Sequence, residues 1–295
     1  MSYPKGWLAQ PALTTNLVMD LKFNKALRAS LNLSLTVKVS HQKLNAIFSC
    51  RLHKKMFRLQ YISDIHLERM AMRPLFNKIV RPVTGTLALA GDIGHPNKDL
   101  YPKFIEYCKE NWDDVIVVAG NHEFDEGYDK NLELMRQICS QWQNVHFLHN
   151  TSVYLRHHRV NFCGTTLWTP KAQPHLHMEA VKWLNSALHN AEVLQANTVV
   201  VTHHMPTKLL THARFENHKN SPGFTANLDE MICWPVRAWI SGHSHHQKEV
   251  RLQLDNPPTD EGEIVLGINA YHGGGNPTQT AAFKVIPPRY FEILS

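Results

Sequence analysis

Val115-Ile116-Val117-Val118-Ala119-Gly120-Asn121-His122-Glu123 is the stretch that decides the fold. Five small or β-branched apolar residues read as a buried strand, and Gly120 breaks it. An amide, an imidazole and a carboxylate follow at once. Open α/β sheets place their ligand sites at the C-terminal ends of strands, so this edge is a candidate site. A polar turn after a strand has the same composition, and one edge alone does not choose between them.

Working outward, the pattern recurs four times. A strand over 57–62 leads to Asp64-Ile65-His66, and one over 86–90 leads to Gly91-Asp92. Thr198-Val199-Val200-Val201 ends in Thr202-His203-His204, and Arg237–Ile240 ends in Ser241-Gly242-His243-Ser244-His245. Helical spacing of Tyr101, Phe104, Ile105 and Cys108 predicts a helix near 99–111, with others near 129–142 and 175–190. Short strands at 145–148, 152–156 and 159–163 read as a hairpin-connected sheet, and terminal strands are expected near 247–254, 263–268 and 282–286. Strand–helix alternation followed by antiparallel strands means α/β, with a mixed sheet or two packed sheets.

Composition narrows the class. Of 295 residues, 43% are hydrophobic and 19% charged, as in a globular protein with a sizeable core. The net charge of +6 is concentrated in residues 1–55, where nine Lys and Arg face Asp20 alone. Residues 56–295 carry 22 basic and 24 acidic residues, a balance that argues against a nucleic-acid surface. Residues 1–55 are expected to be a basic, largely disordered extension, with the domain spanning 56–295. A mitochondrial transit peptide is the competing reading of that segment. Five scattered cysteines without a C-x-x-C point to reduced thiols and a cytoplasmic setting. No apolar run approaches the roughly 20 residues of a membrane span, so no membrane partner is expected.

The five strand ends carry Asp, His and Asn and no thiolate, a mixed N/O donor set suited to divalent Mn, Fe, Zn or Mg-like ions. One-residue spacers such as Asp64-x-His66 and His243-x-His245 let neighbouring side chains reach around one cluster. The ordered series D-x-H, G-D, G-N-H-E, H and G-H-x-H, over about residues 57–272, resembles the calcineurin-like metallophosphoesterase superfamily. Thr165–Thr169 and His203–Pro206 are similar to a bacterial-type branch of single-domain members.

The resemblance implies a four-layer α-β-β-α sandwich of two mixed β-sheets and a centre of two divalent metal ions. Asp64, His66 and His245 would hold the first ion, Asp92 would bridge, and Asn121, His203 and His243 would hold the second. His122 would be the general acid while a bridging hydroxide attacks a phosphomonoester or phosphodiester. His204 stays open as an alternative to His203, and Glu123 is either a helper that orients a ligand imidazole or a turn carboxylate. His95 stands where phosphatase relatives carry an acid, so the partner of His122 is absent or comes from elsewhere. Asn269-Ala270-Tyr271-His272-Gly273 departs from the family's turn, which leaves substrate contact from that loop open. His246, His157-His158, His175, His177, His189, His212 and His218 read as surface residues, and Arg214, Asn217 and Lys219 as solvated loop. A catalytically quiet scaffold is the alternative function; it would be betrayed by loss of His122 or of the ligands, all of which are present.

Overall fold

In the computed structural model, the described residues are 56–70, 72, 74–213, 223–253 and 262–285. The expected extension 1–55, His218, Arg214, Asn217 and Lys219 lie outside them. Two sheets form the body. The first has the order β11-β1-β2-β3-β4, with β1 Met56–Ile62, β2 Thr86–Ala90, β3 Asp114–Val118, β4 Val145–Phe147 and β11 Thr280–Lys284. The second runs β5-β6-β7-β8-β10-β9, with β5 Thr151–Leu155, β6 Val160–Thr165, β7 Asn197–Thr202, β8 Val236–Ser241, β9 Gln247–Gln253 and β10 Glu263–Asn269. Strands β1 to β4 are mutually parallel, as are β6, β7, β8 and β10, while β11, β5 and β9 are antiparallel additions. Both sheets are mixed, as expected.

The period-two alternation of each strand explains the layers. In β3, Ile116 and Val118 face the second sheet, whereas Val115 and Val117 face the outer helices. Those helices are α1, Leu100–Asn111, and α2, Tyr128–Cys139. Tyr101, Phe104, Ile105 and Cys108 form the buried stripe of α1. On the other side, Val200, Trp239 and Leu266 pack against Ala180, Leu184 and Leu188 of α3, Pro174–Val193. Between the sheets, small residues such as Ala88, Ala90, Ala238 and Gly267 offset Phe57, Phe162 and Phe283. A Cβ on Gly267 would meet the Tyr61 hydroxyl at 2.5 Å, so bare backbone is required where the sheets press together. The result is the α-β-β-α arrangement.

One expectation fails here. Residues 145–148 do not join a hairpin with the following strand; β4 pairs parallel to β3, and the hairpin β5–β6 belongs to the second sheet. A three-residue strand has too little pattern to reveal its partner. The sheets are stitched where their parallel strands end. Ser63 bridges to Ala270, and the Asn269 side chain donates to Tyr61 O at 2.9 Å. No helix among the described residues is long and apolar enough to cross a membrane.

Candidate metal centre

Every strand end singled out in the sequence converges at this stitched edge. The ligand atoms of Asp64, His66, Asp92 and His245 all lie within 4.8 Å of one another, and so do those of Asp92, His203 and His243. Asp92 belongs to both sets. Asn121 joins the second, its Oδ1 standing 3.1 Å from His203 Nε2. His122 lies beside the first, its ring 5.0 Å from that of His66.

The backbone is bent to achieve this. Asp64, His66, Asp92, His243 and His245 all have left-handed φ between 49° and 66°, a conformation that is costly for residues with a Cβ. Hydrogen bonds from neighbouring strand ends hold it: Asp64 N donates to Gly91 O, His66 N to Asp92 O and Gly242 N to His203 O. Glu123 does most of the holding around Asp92. Its two oxygens accept from the backbone N–H groups of Asp92, Ile93, Gly94 and Gly120 at 2.7 to 3.3 Å. Glu123 is therefore a buried turn clamp that touches no ligand imidazole, and the reading as an imidazole-orienting helper is replaced. Gly120 leaves no room beside this clamp, because a Cβ there would overlap the Asp92 carboxylate and stand 2.5 Å from its backbone nitrogen. Gly120→Ala is expected to cost about 1–3 kcal/mol and to reduce metal uptake, checked by denaturant melts with metal analysis of the same samples.

The donor chemistry fits cations. His203 Nδ1 donates to Ala90 O at 2.9 Å, which leaves a lone pair on Nε2. That lone pair faces Asp92 Oδ2 at 3.2 Å and the Asn121 oxygen, three acceptors around one point. Asp92 Oδ2 is buried and has no hydrogen-bond partner. In the first set, His66 Nδ1 is held by Glu68 at 3.0 Å, and its Nε2 faces His245 Nε2 at 3.3 Å. A tetrahedron of ~2.0 Å metal bonds has edges of about 3.3 Å, so both sets are already spaced as ligands. His204 is different. Its Nδ1 faces Thr166 O at 3.2 Å and its ring packs on His243 at 4.2 Å, so the structure brings His203 rather than His204 into the cluster.

Ion-free electrostatics are strained. Burial raises the Asp64 carboxyl to about 6, and burial with the neighbouring Asp92 charge raises Glu123 to about 8 despite its backbone donors. Burial would raise Asp92 too, but His203 and the His122 N–H hold it well below the carboxylate range. Burial pulls His203 down, yet Asp92 and Asp64 outweigh it and raise the imidazole to about 9. Burial lowers His243 well below its ordinary value and takes His204 and His245 to about 3 and 4. Groups whose folded pKa is raised bind more protons folded than unfolded, so their stabilisation fades as pH climbs. Glu123 and His203 both do this, and chelator-stripped protein is expected to lose stability between pH 6.5 and 9. Melting curves across that window check it, and a metal-loaded sample should decline less.

His122 has partners the sequence reading left open. Its Nδ1 is 2.6 Å from Asp125 Oδ2, one helical turn on. His95, in the position where an acid was missing, stands 3.7 Å from that same Asp125 oxygen and 3.4 Å from Glu126. Arg69 brings Nη2 to 3.3 Å from His122 Nε2. The His-x-x-Asp spacing of 122 and 125 is a signal that a helical-turn reading finds; Arg69 has no such signal. His272, from the turn after β10, packs 5.5 Å from the His66 ring, so that loop does reach the site. His246 corrects an expectation: it is buried, with Nε2 on Leu210 O at 2.9 Å, because the turn Lys208–Leu210 folds over it. A cavity of about 540 Å³ between α3 and the β5–β6 hairpin, lined by Trp183, Asn161 and Asn197, is away from all these residues.

An α/β sandwich whose strand ends assemble two donor sets sharing one buried carboxylate is a protein equipped for metal chemistry. The chain belongs to the calcineurin-like phosphoesterase family, whose model matches residues 57–247. It is 25% identical over 240 residues to the uncharacterized protein L509 of Acanthamoeba polyphaga mimivirus, covering 64% of this chain and 84% of that one. Its fold is similar to that of the phosphopantetheinyl hydrolase PptH from Mycobacterium tuberculosis, with a TM-score of 0.54 and 15% identity. That match covers 72% of this chain and 88% of the other.

Proposed function

We propose that this phosphoesterase is a two-metal hydrolase of small phosphomonoesters or phosphodiesters. The observation that carries the reading is the buried Asp92 carboxylate shared between two ligand-spaced donor sets. Asp64, His66 and His245 would hold the first ion, Asn121, His203 and His243 would hold the second, and Asp92, which belongs to both sets, would serve both. Bound divalent ions supply Lewis acidity toward the phosphoryl oxygens and an acidified water for attack.

The remaining work falls to this chain's own side chains. Asp125 accepts from His122 Nδ1, fixing the ring so that Nε2 faces the phosphoryl group. His122 Nε2 then delivers a proton to the leaving alkoxide. Arg69, 52% exposed and within reach of His122, turns its guanidinium to a phosphoryl oxygen. Glu123 takes no part in the reaction; it keeps Asp92 and Gly120 in register. We assign the protein to a reducing, cytoplasmic compartment, supported by the free thiols of Cys108, Cys139, Cys163 and Cys233.

Metal-loaded protein tested on p-nitrophenyl phosphate, its bis ester and a panel of alkyl phosphoesters should turn over at least one class, with at least two ions per chain by atomic spectroscopy. Two bound ions without turnover of any ester would overturn the hydrolase reading and favour a scaffold.

A further inference from the structure

A second donor cluster lies at the opposite end of the sandwich. Asp114 opens β3, and Asn121 follows that strand's other end; at ~3.3 Å per residue the two are roughly 20 Å apart. Asp114 lies on the same face of β3 as Ile116 and Val118, so its carboxylate sits where the inter-sheet core runs out. It is 8% exposed and surrounded by imidazoles. His146 of β4 places Nε2 3.4 Å from Oδ1, while His157 and His158 place Nε2 2.9 Å and 3.9 Å from Oδ2.

We propose that Asp114, His146, His157 and His158 form a structural site for a zinc-like transition-metal ion that ties the β5–β6 turn of the second sheet to β3 and β4 of the first. Three imidazoles and one carboxylate are borderline ligands that favour zinc over magnesium or calcium. The three imidazole nitrogens stand 2.9 to 3.9 Å from the Asp114 carboxylate oxygens, around the about 3.3 Å edge of a tetrahedral site with ~2.0 Å bonds. The ligand atoms of Asp114, His157 and His158 already lie within 4.8 Å of one another.

The surroundings orient the set. The His158 ring stands edge-on to Phe57 at 5.0 Å, and the His157 and His158 rings lie 4.0 Å apart. Burial opposes ionisation of Asp114, yet the hydrogen bond from His146 and the nearby His157 keep its carboxyl below its ordinary value, the form a metal needs. Thr86 Oγ1 is 3.3 Å from His158 Nε2, a contact that ion binding takes over. The reading of His157-His158 as mere surface is thereby narrowed: His157 is exposed, but His158 is half-buried and faces Asp114.

Such an ion would act on stability, because the unfolded chain does not present the four ligands together. The test uses the full chain, stripped of metal and titrated with zinc, beside His157→Ala/His158→Ala. Wild type should bind one zinc per chain more than the double variant and show a zinc-dependent rise in Tm of several degrees that the variant lacks. Phosphoester turnover should be the same in both. The difference of one zinc is independent of the strand-end centre, and it should persist in an Asp92→Asn background whatever that substitution does to turnover. Equal zinc content in wild type and double variant would overturn the site. So would zinc that survives both His146→Ala and Asp114→Asn yet disappears with His157 and His158, since that is an exposed histidine pair alone. If the double variant does not fold, His157→Gln on the exposed turn replaces it, with about a tenfold or greater loss of zinc affinity expected and unchanged affinity overturning the proposal.

Discussion

Asp92→Asn is expected to abolish turnover, by about a thousandfold or more, and to weaken both ions at the strand-end centre. The reasoning begins with charge. Asp64, Asp92 and Glu123 are three fully buried carboxyls within one turn network, and burial together with the neighbouring Asp92 charge pushes Asp64 to about 6 and Glu123 to about 8. Asp92 is the one contributing to both donor sets, so its removal takes a ligand from each. An amide keeps the shape and the contact with the His122 N–H, which now reaches Asp92 Oδ1 at 2.9 Å, but lacks the charge to hold two cations together. Stability separates this loss from unfolding. Chelator-treated wild type and Asp92→Asn should melt within a few degrees of each other, whereas wild type should gain several degrees more than the variant on metal addition. Metal content, Tm and turnover measured on one preparation check it. Wild-type activity in the variant would remove Asp92 from the centre of the scheme.

The fold was largely legible because most strands announce themselves twice, once by apolar alternation and once by the residues that stop them. Val199 to Val201 followed by Thr202 and His203 is such a case, and the strand extends only from Asn197 to Thr202. The failures are where one of those signals is missing. β4, Val-His-Phe, is too short to show which sheet it joins, and its parallel partner β3 lies 30 residues back at the Val115↔Val145 pair. His246 looked exposed because it follows a polar motif; only the turn Lys208–Leu210, distant in sequence, covers it. The candidate ligands were legible as strand ends, since parallel strands deliver their C-terminal residues to one edge. The choice between His203 and His204 was not. It depends on which ring turns toward Ala90 O, and adjacent residues at a strand end point in opposite directions. Asp125 was legible from its three-residue spacing to His122, whereas His95 and Arg69 depend on how separate turns stack, which no local pattern records.

His122→Ala is expected to keep both ions and lower kcat by about a hundredfold to ten-thousandfold. Its side chain is outside both donor sets, 29% exposed, and held by Asp125 at 2.6 Å rather than by a ligand residue. Two roles remain compatible with that place: proton donor to the leaving group, and donor to charge growing on phosphorus. Leaving-group dependence distinguishes them. Nitrophenolate departs without a proton, whereas an alkoxide does not, so an acid's removal should hurt an alkyl phosphoester far more than the p-nitrophenyl ester. A pure charge donor would be missed equally with both. Asp125→Asn should fall between, losing about tenfold to a hundredfold through a loosened ring, with the same leaving-group bias. Steady-state kinetics of the three proteins on the two esters, with metal content held equal, decide the matter. An equal loss on both esters would leave His122 as a charge donor and assign the leaving group's proton to another residue, with Arg69 unsuited because its guanidinium does not give up a proton at neutral pH.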